Sequence, residues 1–289
     1  MNILITGKNS YAGKEFIRRM KEKNSSWGID AISVRNEEWK KHDFSKYDAV
    51  YHVAAIVHLK EKPSMESEYY RVNTDLAFQV AKKAKNEGVK SFIFLSSIAV
   101  YGLLGDLKEE VVISKETPEN PKTFNGKSKL AAEKLLEPLR SEKFQVAILR
   151  IPLIYGYKCP GNYGSLSKLA ALTPVFPKID NKRTMIFIDH LSDIVEHLIS
   201  NQCSGLYLIS NQDTISTFEL VREVSKNKNK MLFASQALAW VIKSTGNFSG
   251  TTRKLFGTVY YKLEDTQIEG FTFSNISFEE SISRSEGKK

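Results

Sequence analysis

Residues 1–15 read MNILITGKNSYAGKE, and the reading of this stretch decides the fold. Ile3, Leu4 and Ile5 form an apolar run long enough for a buried strand and too short for a helix, and a turn with Gly7 and Gly13 follows at once. After Gly13, the residues Phe16, Ile17 and Met20 recur at helical spacing among Lys, Glu and Arg. The order is strand, tight turn, helix. Such a turn presents the unpaired N–H groups and partial positive charge of a helix N-terminus to its ligand, and a pyrophosphate suits that position.

The rest of the composition permits a large soluble core. The chain has 289 residues, 42% hydrophobic and 26% charged, with no internal repeat or low-complexity tract, and one or two closely packed lobes are expected. Cys159 and Cys203 are too few for a disulfide framework and lack metal-ligand spacing, which fits a reducing cytoplasm. No apolar run reaches the length of a membrane span, and a strand beginning at residue 2 leaves no room for a signal peptide, so a cytoplasmic protein is expected. The net charge of +9 is spread along the chain rather than gathered in one arm. Solvated basic faces that favour anionic substrates explain it better than nucleic acid does.

The turn resembles the T-G-x-x-G-x-x-G fingerprint of extended short-chain dehydrogenase/reductases, the NAD-dependent epimerase/dehydratase family. Thr6, Gly7 and Gly13 match, Tyr11 stands where the family often has an aromatic, and Ser10 occupies the middle glycine position. The resemblance implies an α/β fold, a Rossmann-type doubly wound parallel sheet, with a nicotinamide dinucleotide across the turn. It implies a dinucleotide-binding lobe over residues 1–156 and a smaller C-terminal substrate lobe over 157–289, with segments near 184–209 packing back on the first.

The second strand candidate, Ile29 to Val34, ends at Arg35. An acidic residue there accepts from a ribose 2′-hydroxyl, whereas a basic one pairs with a 2′-phosphate, so Arg35 favours NADP(H) while NAD(H) stays open. Only a few residues separate this strand from His42-Asp43-Phe44, too few for the usual second crossover helix. The resemblance places Asp43 at the adenine amino group, with Phe44 beside it. Tyr47 to Ile56, YDAVYHVAAI, is the near-continuous apolar run of a strand covered on both faces, and it resembles the family's D-x-V-x-H-x-A-A signature. In that signature Ala54 and Ala55 let the backbone pass close to the cofactor. His52 and His58 lack acidic or Cys companions at metal spacing and read as structural histidines. Glu66 to Asn86 reads as a helix ended by Gly88, with Asn73 matching the family's helix Asn.

Ser91 to Val100, followed by Tyr101-Gly102, is where the family places its catalytic Ser or Thr, three residues before the Val. That register selects Ser97, whose hydroxyl would bond the substrate oxygen. Gly105 to Thr123 is polar and reads as a loop over the site. Asn125-Gly126-Lys127-Ser128-Lys129 with Glu133 then resembles the family's Y-G-x-S-K-x-x-x-E stretch, and the register puts Asn125 where the family has its catalytic Tyr. Lys129 falls one helical turn on, where the family's Lys holds the nicotinamide ribose. An amide has no proton to release near neutral pH, so acid–base catalysis at Asn125 is in doubt while ribose binding by Lys129 is expected. Pairing Thr123 with Lys127 instead would lose Gly126, Ser128 and Glu133 from the match.

Arg150 to Gly156 resembles R-x-x-x-x-Y-G, whose Pro, here Pro152, packs near the nicotinamide. Beyond it, Asn162 falls in the substrate lobe, and Arg183, just before the run Met185 to Ile188, matches the Arg that clamps a sugar-nucleotide diphosphate in relatives. Thr217 to Lys226 reads as a helix with Ser216 as its cap, and 235–243, with Trp240, Val241 and Ile242, as a partner-facing or core helix for which core packing is the default, membrane-surface contact being a further alternative. The resemblance is nearest to the short reductase branch acting on UDP-4-keto-6-deoxy-N-acetylhexosamines for capsules and O-antigens. It implies a UDP-sugar substrate, no metal, no membrane span and a possible homodimer. A nucleotide-sugar 4-epimerase and a binding-only member remain the alternatives, the latter because Asn125 interrupts the machinery.

Overall fold

The structure, a computed structural model, describes residues 1–57, 61–246 and 249–287; His58 lies outside the described residues. In chain order the strands are β1 (Asn2–Thr6), β2 (Gly28–Ile32), β3 (Ala49–His52), β4 (Ser91–Ser97), β5 (Val111–Ile113), β6 (Gln145–Ile151), β7 (Leu153–Tyr155), β8 (Val175–Pro177), β9 (Met185–Phe187), β10 (Gly205–Leu208), β11 (Phe233–Ser235) and β12 (Val259–Tyr261). The helices are α1 (Tyr11–Glu22), α2 (Glu66–Tyr70), α3 (Leu76–Asn86), α4 (Phe124–Leu136), α5 (Asn162–Leu172), α6 (Ile188–Ser200), α7 (Thr217–Asn227), α8 (Gln236–Thr245), α9 (Gly250–Phe256) and α10 (Phe278–Ser285).

Six strands form one sheet in the order β10-β6-β4-β3-β1-β2, and every neighbouring pair is parallel. A parallel sheet must be covered on both faces, and this one is. On one face Leu4, Val50, Phe92, Phe94, Val146 and Ile148 meet Ala77, Val80, Ala81 and Ala84 of α3 and Ala132 and Leu136 of α4. On the other, Phe16 of α1 meets Tyr51 edge-on with ring centroids 5.3 Å apart, and Arg19 of α1 holds Asp193 of α6 through two bonds of 2.9 and 2.7 Å. Burying a side chain such as Phe16 contributes about 1.5–3 kcal/mol. Chain order reverses between β1 and β3, and the crevice at the carboxyl ends of strands flanking such a reversal is where open α/β sheets bind ligands. Thr6-Gly7 and Ala54-Ala55 stand at that place.

β2 stops at Ile32 rather than Val34, although Val34 is still buried in the core. The connection to β3 is a single 3₁₀ segment, Glu37–Lys41, with Trp39 buried, as the short spacing requires. Glu66 to Asn86 is helical throughout but passes through a π-turn at Arg71–Asp75, and Gly88 beyond its end has φ +83°. Within that turn Asn73 accepts from Ile56 N at 2.8 Å and donates to Ile56 O and Ser128 Oγ, both at 3.1 Å.

The chain divides into two compact units, each discontinuous in sequence. The first unit takes Met1–Gly102, Pro118–Ile151 and Asp189–Ile209; the second takes Leu103–Thr117, Pro152–Ile188 and Ser210–Lys289. Leu103–Thr117 therefore belongs with the second unit, because β5 inside the expected loop pairs with β12. Two further two-stranded parallel ladders, β7–β9 and β8–β11, complete the second unit's strands. α7 begins with a capping box in which Ser216 and Glu219 bond each other's backbone N–H.

Candidate active site

At the turn after β1, Gly7 has φ +122°, and a Cβ there would lie 2.8 Å from Ala54 N. A Cβ on Gly13 would lie 2.7 Å from Ser10 Oγ and 2.9 Å from Ile5 Cγ2. Gly7 demands glycine by backbone conformation and packing alike, whereas a side chain at Gly13 would have to displace Ser10 and Ile5. Ser10, by contrast, has φ −66° and ψ 146°, and its Oγ accepts from Gly13 N at 3.1 Å as the N-cap of α1. The middle position of the fingerprint is thus extended backbone, so serine stands there without strain and adds a cap. The helix-end donors, the close backbone approach at Ala54 and the lack of a Cβ at Gly7 fit a pyrophosphate. Tyr11 opens α1, and Ala54 and Ala55 are half-buried just past β3.

Arg35 is exposed, three residues past the end of β2. The carboxylates that follow it are engaged by their own neighbours, Glu37 with Lys40 and Glu38 with Lys41. Asp43 is exposed and accepts from Ser45 N at 2.9 Å and Ser45 Oγ at 2.6 Å, bonds that hold its carboxyl below the usual range. Phe44 does not belong to a cofactor surface: its ring is fully buried among Trp39, Val80 and Ala84, and its N–H donates to Glu87 Oε2 at 2.7 Å. Hydrophobic burial claims this side chain, which a motif position cannot reveal.

Ser97 ends β4, and its Oγ accepts from Ala99 N at 3.1 Å, which leaves the hydroxyl hydrogen to be donated elsewhere. α4 lies tightly against the turn after β4: a Cβ on Gly126 would come within 2.4 Å of Ala99 O. Thr123 caps α4 by accepting from Gly126 N at 3.1 Å, a structural task consistent with the register that assigns the Tyr position to Asn125. Glu61 binds the same helix end, accepting from Phe124 N at 2.8 Å and Asn125 N at 3.0 Å. Nothing in the sequence marked Glu61, a lone acid between lysines. The Asn125 Oδ1 is buried and makes no hydrogen bond with any described residue.

Lys129 is almost wholly buried; its Nζ donates to Leu95 O at 2.7 Å and sits 4.6 Å from the centroid of the Phe94 ring. Burial pushes its pKa down to about 7, and Glu133 opposes that only in part. Nearby, His52 stacks on Phe92 and Phe94, and its Nδ1 shares a proton with Thr6 Oγ1 at 2.8 Å. Burial, followed by the charge of Lys129, pushes His52 down to about 3, so it is a neutral core group. Glu133 is taken by Arg150, whose Nη2 donates to it at 2.7 Å and to Glu119 at 2.6 Å while Nη1 donates to Tyr101 Oη at 2.8 Å. Ser96 Oγ donates to the same Glu133 carboxylate.

In the second unit, Pro152 is buried and Asn162 is the exposed first residue of α5. Arg183 exchanges two backbone bonds of 3.1 Å with Ile215, and its Nη1 donates to Lys254 O. No carboxylate among the described residues is in ion-pair range of its guanidinium, and desolvation pushes its pKa down to about 10. No group of His, Cys, Asp and Glu among the described residues is arranged to hold a metal ion.

Residues 3–201 match the profile of the NAD dependent epimerase/dehydratase family. The chain belongs to that family. It is 27% identical over 277 residues, 91% of this chain and 83% of the relative, to the UDP-glucose 4-epimerase of Vibrio cholerae. Its fold is similar to that of the dTDP-4-dehydrorhamnose reductase from Bacillus anthracis str. Ames in complex with NADP, with TM-score 0.70 and 19% identity over 98% of both chains. It is also similar to the UDP-glucuronic acid 4-epimerase from Bacillus cereus in complex with NAD, with TM-score 0.73 and 16% identity over 99% of this chain and 97% of that one. This member of the epimerase/dehydratase family is accordingly an enzyme of the sugar-nucleotide epimerase and oxidoreductase kind.

Proposed function

We propose that the protein is an NADP(H)-dependent reductase acting at the keto carbon of a UDP-4-keto-6-deoxy-N-acetylhexosamine, in the making of a surface polysaccharide. The observation that carries this reading over its neighbours is the end of β2. Arg35 is exposed there with no ion-pair partner among the described residues, while Glu37 and Glu38 are occupied by Lys40 and Lys41. An unanswered guanidinium at that position suits a ribose 2′-phosphate, and NADPH is the cofactor of net reduction.

Gly7, Ser10 and Gly13 would hold the pyrophosphate, with Tyr11, Ala54 and Ala55 around it, Asp43 toward the adenine, Lys129 on the ribose and Pro152 at the nicotinamide. When bound, the cofactor supplies the hydride that the keto carbon accepts. Ser97, whose oxygen is already engaged by Ala99 N–H, donates its own hydrogen to the substrate carbonyl. Asn125 adds an amide donor but no transferable proton, and water provides the proton for the new hydroxyl. Arg183 clamps the diphosphate, which supplies the counter-charge that its surroundings lack, with Asn162 on the same ligand.

Stoichiometric oxidation of NADPH with a UDP-4-keto sugar is the expected result. Interconversion of two UDP-sugar epimers with no net change in cofactor would replace this reading by the second one, a 4-epimerase, which the Vibrio cholerae relative favours. Because Asn125 stands where the family carries its proton-transferring Tyr, Asn125→Tyr should raise kcat by roughly 10²-fold or more with little change in cofactor affinity. Fast turnover by the native chain, with no gain in the Tyr variant, would mean that another group supplies the proton.

A further inference from the structure

The end of α5, the β8–β11 ladder and α8 carry the most exposed large apolar side chains of the second unit. Leu172 is 81% exposed, Met231 77% and Trp240 72%, with Phe233, Val241 and Val175 also open to solvent. Those of the ladder are neighbours, and the others adjoin it along the chain. Phe233 pairs with Val175 in the β8–β11 register, its N–H donates to Pro174 O at 2.8 Å, and Leu172 ends α5 three residues before Val175. α8 follows β11 directly, capped by Ser235, and Ala239 is its only buried residue among those described. Ala237, Trp240 and Val241, spaced by three and four, therefore share one solvent-facing side, contrary to the core packing that the sequence suggested.

The charge along the segments that form this face is mostly positive, with exposed Asp180 just beyond Lys178. Residues 224–263 contain no Asp or Glu, nor do residues 152–179. Lys226 and Lys228 are answered by Glu223 and Glu286, but Lys168, Lys178, Lys230 and Lys243 are exposed and have no ion pair among the described residues. Lys178 is held beside the start of α8 by its N–H bond to Ser235 O at 3.2 Å. Contiguous exposed apolar side chains mark an interaction surface, and lysines whose stems run along it keep their heads in an anionic layer. Joining two copies through this face would set Lys168, Lys178, Lys230 and Lys243 against their own counterparts, with Asp180 the nearest carboxylate in sequence to Lys178. Protruding Leu, Met, Phe and Trp side chains suit insertion at headgroup depth, the level at which Trp is enriched.

We propose that this face docks the protein on the surface of a bilayer containing anionic lipid. No helix among the described residues is long and apolar enough to cross a membrane, so the contact is peripheral. The inference is independent of which sugar is the substrate, and its test reads no turnover. The full chain should sediment with vesicles of mixed phosphatidylcholine and phosphatidylglycerol and not with phosphatidylcholine alone, with a shift of Trp emission to shorter wavelength that Trp240→Phe removes. Phe233→Glu with Trp240→Glu, and separately Lys178→Glu with Lys230→Glu, should each lower partition by roughly tenfold or more. Failure of the native chain to sediment with the mixed vesicles would overturn the proposal, as would partition of both variants equal to that of the native chain. A concentration-dependent dimer abolished by Trp240→Glu in the absence of lipid would also overturn it, assigning the face to a second copy.

Discussion

Arg150 in the first unit is buried and Arg183 in the second half-buried, and their surroundings differ in kind. Arg150 spends its guanidinium on Glu133, Glu119 and Tyr101; burial alone would lower its pKa, and the two carboxylates more than reverse that. Arg183 has a backbone carbonyl in place of a carboxylate, and its pKa falls. A desolvated cation with its counter-charges built in holds a fold together, whereas one without them gains most from an anion that arrives later. Lys129 stands between these cases, buried on a carbonyl and an aromatic face while Glu133 is largely committed to Arg150.

The contrast is most easily broken at Glu133. Glu133→Ala leaves Arg150 buried without its main partner and should cost about 3–5 kcal/mol of stability, read from the denaturant midpoint. A loss under about 1 kcal/mol, the median for a surface pair, would mean that this network is solvated. Arg183→Ala should act in the opposite sense on the fold, leaving the thermal midpoint unchanged or raised, while weakening UDP-sugar binding by about 1.5–3 kcal/mol in calorimetry. Equal UDP-sugar affinity in both proteins would remove Arg183 from the binding site.

The smallest effect belongs to Lys129 and is read as a slope. Its pKa is about 7 in the folded chain against an ordinary 10.5, so across that interval the unfolded chain binds the additional proton. Stability from this group therefore rises as pH climbs from about 7 and falls as pH drops back toward it. Lys129→Met should flatten the pH dependence of unfolding in that window by up to about 1.4 kcal/mol per pH unit, measured against the native chain under the same conditions. Parallel stability curves would show that Lys129 keeps its charge in the fold.

Local patterns made the dinucleotide-binding half legible. Ile3 to Ile5, the glycines at 7 and 13, and the helical spacing after them are near-neighbour effects, and all three reappear in β1, its turn and α1. The same holds for Ser216 at the head of α7, three residues from its partner Glu219. Illegible features depend on distant partners. Glu61 reaches α4 across 63 residues and Arg150 reaches Tyr101 across 49, and no window of sequence contains either pair. β5 has three residues, too few for alternation to register, which is why Gly105 to Thr123 read as loop throughout. Trp240 misled for another reason: an apolar helical face has the same pattern whether the chain itself covers it or leaves it open.

The π-turn at Arg71–Asp75 has a consequence for how this chain tolerates changes of length. It carries one residue more per turn than its flanks, and Asn73 within it reaches both Ile56 and Ser128. Deleting a single residue from this segment would restore ordinary i→i+4 bonding along the helix and raise local helical regularity. It would also turn α3 by about 100° against α2, sending Val80 and Ala84 away from the sheet they now cover. The helix would be better as a helix and worse as a part, so among single-residue deletions in this stretch those that improve its isolated peptide should be the ones that the whole protein rejects.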